Sequence, residues 1–288
     1  MTQNSDKDMP FLYDKYITRI RNRLIRRNKN WIALVCGETG SGKSYSAAKL
    51  AQDIDPTFLD SVRDEGLKSR VSVGSKEDFI NIVKMAKDGK LKRGNVIIFD
   101  EAGVSISCRT WFAEAQQELM NILQSFRNMN LGTIFTTPNA SFIDSQARRL
   151  MHAYLEALKI DYKRNRVIMK PFNLKPNHFE GDIYKIYPWF NGIQMTRLFV
   201  AKPAKDYIKV YEPEKNVLLT FLIQEAEAKM EVNKRKEKQK RLFDSDIMKE
   251  IKEKQIPLDA YALQFRFNIG KDRAYRIISN YEKLSPTI

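Results

Sequence analysis

Cysteine is nearly absent from this sequence, with Cys36 and Cys108 the only two among 288 residues. Two cysteines cannot build a disulfide framework at this size, and no CxxC pair or Cys/His cluster has the spacing of a zinc site. Also missing is any run approaching the ~20 consecutive apolar residues that a helix needs to cross a bilayer. Membrane insertion is therefore not expected. The opening residues, MTQNSDKDMP, are polar and acidic where a secretory leader is basic and then apolar. No internal repeat is visible. These absences point to a reducing cytoplasm. What a core requires is present: 43% hydrophobic and 11% aromatic residues exclude wholesale disorder. The length suits about two domains of ~100–200 residues each.

Acidic residues are in short supply at the two ends. Of a net charge of +15, residues 1–30 contribute +5 (8 basic, 3 acidic) and residues 229–288 contribute +6 (15 basic, 9 acidic). Two short ends thus hold most of the excess, the footprint of a polyanion-binding protein. Charge asymmetry serves solubility as well.

Along the chain, apolar Tyr13, Ile17, Ile20 and Leu24 recur at helical spacing among arginines, predicting a basic amphipathic helix over residues 11–27. Trp31–Cys36 reads as a buried parallel strand. A helix resumes at 45–52, another spans 77–87, and NVIIF at 95–99 is a second buried strand. A helix over about 113–128 and a strand at 131–136 follow. Strands alternating with helices predict a three-layer α/β domain with a largely parallel sheet. From about 153 the pattern turns β-rich. Residues 153–172 read as a hairpin around 163–165, and residues 182–211 as further short strands on the same core. Residues 222–242 read as a charged helical linker and 243–288 as a small all-α domain. The organisation read from sequence is therefore 1–30, 31–221, 222–242 and 243–288.

The strongest motif is GETGSGKS at 37–44, a complete G-x-x-x-x-G-K-S/T between a strand and a helix. Its glycines, Gly37, Gly40 and Gly42, let the loop turn its N–H groups around phosphate oxygens. Thr39, Ser41 and Tyr45 complete the expected nucleotide-binding set. Lys43 supplies a point charge to the β/γ-phosphates and the Ser44 hydroxyl is a Mg²⁺ ligand. The helix that starts there adds its positive end. Asp100 closes the second apolar strand, as a Walker-B aspartate does when it holds the metal's water shell. Glu101 follows at once, placed to polarise an attacking water. The Asp-Glu pair favours ATP hydrolysis by the class with an extra strand between the two motifs, with residues 70–73 as candidate for that strand. Thr136, at the end of the 131–136 strand, is either a γ-phosphate sensor or an ordinary polar strand end. ATP and Mg²⁺ are the expected cofactors.

Residues 31–152 resemble the Zot-like (zonula-occludens-toxin-like) branch of P-loop ATPases and the related HerA/FtsK DNA-pumping ATPases. The resemblance rests on the P-loop, NVIIFDEAG, a helix ending LQSFRNMNLG, the strand TIFTTP and the run FIDSQARRL. It covers under half of the chain, and only the P-loop is highly specific. Those families commonly carry glutamine where this sequence has Thr136, and Zot-like proteins of filamentous phages carry a membrane segment not seen here. The resemblance implies a RecA-like core working on DNA as a ring, with a hexamer favoured. A ring of this kind needs an arginine donated across the subunit boundary, and the resemblance makes Arg127, Arg148 and Arg149 the candidates. Residues 105–112 (SISCRTWF) form either a DNA-facing loop or aromatics packed beneath one.

The last 46 residues read as three short helices. Asp244 or Ser245 caps the first and Asp259 the second, after Pro257. A tight turn at Asn268–Gly270 precedes the third, which begins at Lys271. The arrangement resembles a helix-turn-helix, whose second helix presents its N-terminal residues to the major groove. That makes Lys271, Arg273 and Arg276 candidate DNA contacts, with Lys234 and Arg235 in the basic run 234–241 tracking phosphates. A three-helix module that docks a protein partner is the alternative. The functional expectation is an ATP-hydrolysing, DNA-binding motor or remodeller. Its rivals are a site-specific nucleotide switch and a morphogenesis ATPase that handles virion or secretion substrates.

Overall fold

A computed structural model of the chain describes residues 9–102, 129–143, 145–177, 181–267 and 269–284. Cys108, the 105–112 loop, the helix read at 113–128, Arg127 and Asn268 lie outside the described residues. Two compact units result, Met1–Leu218 and Leu219–Ile288.

The first unit is built on an eight-stranded sheet. Its parallel part runs β5 (Ala153–Asp161), β1 (Trp31–Cys36), β4 (Gly132–Thr137), β3 (Val96–Asp100), β2 (Val71–Val73). The antiparallel strands β6 (Arg166–Pro176), β7 (Ile183–Ile186) and β10 (Leu198–Ala201) extend it beyond β5, and β8 (Trp189–Phe190) with β9 (Ile193–Gln194) makes a separate ribbon. The hairpin read around 163–165 is the β5–β6 pair, with Asp161 opposite Arg166 and Asn165 in the left-handed region at φ 48.

WIALVC is apolar throughout because β1 is covered on both faces. Trp31, Ala33 and Val35 face one cluster, with α1 (Met9–Ile25), α2 (Lys43–Ile54), α3 (Phe58–Glu65) and Tyr207 and Tyr211 of the long helix Lys205–Lys254. Ile32, Leu34 and Cys36 face the other, with α4 (Lys76–Lys87) and the short helix Ser145–Arg149. Three layers result, as the alternation of strands and helices predicts.

Three elements differ from the reading of the sequence. The β2 strand forms close to 70–73, but it lies at the sheet edge, outside β3. The strand between the two motif strands in space is β4, which follows both of them in sequence. On α1 the buried row is Leu12, Tyr16, Ile20 and Leu24, joined by Ile17. Tyr13 sits beside that row and gives its hydroxyl proton to Asp53. Residues 205–211 are helical, not strand, and their helix runs through the 222–242 stretch to Lys254, with Pro213 inside it.

His152 closes the β1–β5 junction. Its Nδ1 accepts the Ile32 N–H at 3.0 Å and its backbone N–H donates to the Ile32 carbonyl. Burial, helped by Arg23 and Lys29, pushes its pKa down to about 4 from the usual 6.5. The native state thus holds this imidazole neutral, so its contribution is complete above pH 6.5 and lost as pH falls towards 4. Urea unfolding across that window should show about 3 kcal/mol less stability at the acid end. A His152→Asn chain should lack the step.

In the second unit, the end of the long helix and the helices Ala260–Phe267 and Lys271–Leu284 share a core of Ile247, Ile251, Ile256, Leu263, Ala274 and Ile277. Asp259 caps its helix by accepting the Ala262 N–H. Among the described residues no helix is long and apolar enough to cross a membrane.

Candidate nucleotide site

At the C-terminal end of β1 the chain turns into α2 through a loop that only glycine permits. A Cβ on Gly37 would lie 2.5 Å from the Ala157 carbonyl oxygen, and one on Gly42 would lie 2.6 Å from Val167. Gly42 also has φ 87, which side chains disfavour. Hairpin β5–β6 therefore braces the loop from behind. Gly40 faces open space. Gly42 is the N-cap of α2 and offers no side-chain cap, so the first N–H groups of the helix await an acceptor. The Ser41 hydroxyl in the same loop is buried and has no partner among the described residues. An anion fits here. Thr39 is exposed on the loop rim.

Lys43 is 6% exposed and donates to the Glu38 carbonyl at 2.7 Å, lying back across its own loop. Burial lowers its pKa, while Glu101 and Asp100 oppose that shift. The three side chains therefore share one electrostatic neighbourhood, joined only by folding.

Asp100, 1% exposed, is held from two sides. Thr136 donates to its Oδ1 at 2.6 Å, and Tyr211 donates to its Oδ2 at 2.5 Å. Thr136 is fully buried, and its oxygen also accepts the Glu101 N–H at 2.9 Å. Thr136, read from sequence as either a γ-phosphate sensor or an ordinary polar strand end, has its only proton committed to Asp100. Glu101 adopts φ 51, a strained value for a side chain of its size. Its carboxylate faces Lys215 at 3.7 Å. The metal-side donors, the Ser44 hydroxyl and the Asp100 carboxylate, are hard oxygens, the set that suits Mg²⁺.

Tyr45 gives its hydroxyl proton to Glu212, sets its ring edge against Tyr211, and lies beneath Lys202. Tyr211, Glu212 and Lys215 are absent from the sequence reading. Their signal was the spacing of Tyr207, Tyr211 and Lys215, four residues apart on one helix face.

Of the trans-acting candidates, Arg127 lies outside the described residues. Arg148 is half-buried on the short helix, near enough to Cys36 to act on its thiol. Arg149 is exposed beside Gly181. In the second unit, Arg273 and Arg276 both bind Asp244, at 2.8 and 3.0 Å, and Asp244 is 7% exposed. The two arginines expected to contact DNA thus also pin one helix to another. Lys271 and Lys234 are exposed. Arg235 lies within the long helix.

The parallel order with β4 between β1 and β3, the phosphate loop and the Asp-Glu pair define a P-loop nucleotide-binding core of mixed α/β type. Residues 31–169 match the family described as Zonular occludens toxin (Zot). Uncharacterized protein B-251 of Sulfolobus spindle-shape virus 1 is 24% identical over 144 residues, 43% of this chain and 56% of the relative. The chain thus spans about half the length of the curated relative it matches. Among solved structures, the N-terminal domain of zonular occludens toxin from Neisseria meningitidis is 15% identical, with a TM-score of 0.32 over 57% of this chain and 96% of that one. The genome packaging NTPase B204 of Sulfolobus turreted icosahedral virus 2, solved with ATP-gammaS, is 13% identical, with a TM-score of 0.32 over 58% of this chain and 100% of that one.

Proposed function

We propose that the chain is an ATP-hydrolysing, DNA-binding motor or remodelling ATPase that acts as a ring. The observation that carries the reading is the meeting of Lys43, Ser44, Asp100 and Glu101 at the ends of β1 and β3. The phosphate loop and the start of α2 bind the triphosphate, and Lys43 leaves its loop carbonyl to meet the outer phosphates. Ser44 and Asp100 would hold a Mg²⁺ ion, which supplies charge neutralisation at the β/γ-phosphates when bound. Glu101 orients a water and takes its proton, with Thr136 fixing the Asp100–Glu101 backbone from the neighbouring strand. Arg148, Arg149 or Arg127 of an adjacent copy completes the site. The basic ends supply DNA affinity.

A second reading concerns the terminal unit alone. Asp244 engages both Arg273 and Arg276, while Tyr261 and Phe265 are 77% and 94% exposed. That combination also suits a protein-docking module.

ATPase rates measured with and without duplex and single-stranded DNA, over a salt series, test the proposal. Turnover stimulated by DNA and weakened by salt is the expected result. Turnover indifferent to either nucleic acid would leave the morphogenesis ATPase, and site-specific binding without stimulation would leave the switch.

A further inference from the structure

We infer that Tyr211 is a positioning residue of the candidate nucleotide site, its hydroxyl holding one oxygen of the Asp100 carboxylate while Thr136 holds the other. The inference rests on the ATPase reading and adds to it an element that neither motif contains.

Tyr211 gives its hydroxyl proton to Asp100 Oδ2, 111 residues away in sequence. Thr136 holds the other carboxylate oxygen, so Asp100 is fixed from both sides. Each oxygen of a carboxylate still keeps a second lone-pair site for a metal-bound water.

The packing argues that Tyr211 is a fixture and not a removable plug. It is 1% exposed. Its ring stacks on Tyr207, with centroids 5.5 Å apart and planes at 17°, and meets the edge of Tyr45 at 6.1 Å. Tyr207 is equally buried and packs on Phe58. Tyr45 is tied to Glu212, the next residue of the same helix. Swinging the ring out would open the main core of the unit. One turn further on, Lys215 lies over the Tyr211 ring at 5.6 Å and faces Glu101. A single helix face thus touches both Asp100 and the water-side carboxylate.

The test is equilibrium binding of a fluorescent non-hydrolysable ATP analogue to the full chain, once with Mg²⁺ and once with EDTA. Tyr211→Phe keeps the ring stack and removes only the hydroxyl. Its Mg²⁺-supported affinity should fall about tenfold, the scale of one hydrogen bond to a charged group. Its affinity in EDTA should stay at the parent level, which a general packing defect would not allow. In an Asp100→Ala background the same change should have little further effect, because the carboxylate it positions is already gone. Placing p-aminophenylalanine at 211 restores a donor and should recover part of the loss; it also serves as the readout if Tyr211→Phe does not fold. Unchanged Mg²⁺-supported affinity in Tyr211→Phe overturns the inference. Tighter binding also overturns it, since the hydroxyl would then be an obstruction. A parent chain that binds the analogue no better with Mg²⁺ than with EDTA sinks the ATPase reading itself.

Discussion

Glu101→Gln should bind ATP as the parent chain does and release phosphate at least about 100-fold more slowly, because a general base contributes ~10²–10⁴-fold. The amide has the shape of the carboxylate and leaves the backbone bond to Thr136 intact. Only proton acceptance by the side chain is lost, so the defect belongs in turnover and not in binding. Lys43→Ala should fail at the earlier step and lose affinity, since its ammonium is the cation buried in the loop. Nucleotide titration beside steady-state phosphate release separates the two. Normal turnover by Glu101→Gln would remove Glu101 from the mechanism and make another group the base.

The parts of this site that were legible in the sequence are those whose chemistry is local. A phosphate loop must place its glycines, lysine and serine within eight consecutive positions, and Asp100 and Glu101 must sit at the end of an apolar strand. These survive translation into one dimension. The short strand near 70–73 was also legible, but its place in the sheet was not. Order along the chain says nothing of the crossover that carries β4 in between β1 and β3. Tyr211 was illegible for a different reason. It meets Asp100 across 111 residues. Its helix begins in a stretch rich in proline and aromatics that reads as strand, and Pro213 lies within that helix. Thr136 was found by position, yet its partners redirect it, because a hydroxyl has one proton and Asp100 takes it. Arg273 and Arg276 show the same limit. Their charge and spacing suggest a polyanion, while Asp244, distant in sequence, engages both.

A chain ending at residue 228 should retain the site, including Tyr211 and Lys215, and lose most DNA affinity with a flatter salt dependence. The removed residues carry +6 of the +15 net charge, and log affinity for duplex DNA falls with log salt by about 0.9 per phosphate neutralised. Point variants then divide the terminal contribution. Lys234→Ala or Lys271→Ala removes an exposed cation, so each should weaken binding to every sequence alike and reduce the slope by about 1 for each phosphate left without its cation. Arg276 is different, because its guanidinium is bound to Asp244 while half its side chain remains exposed. If it reads guanine, Arg276→Ala should cost ~1–3 kcal/mol of discrimination at one base pair. If the pair with Asp244 is its whole role, the variant should destabilise the terminal helices and leave sequence preference untouched. Binding to a panel of single-base operator variants, beside a melt of the full chain, distinguishes these results. Unchanged affinity and slope in the 1–228 chain would mean that the terminal unit holds a protein partner and that DNA, if bound, is gripped by the first unit.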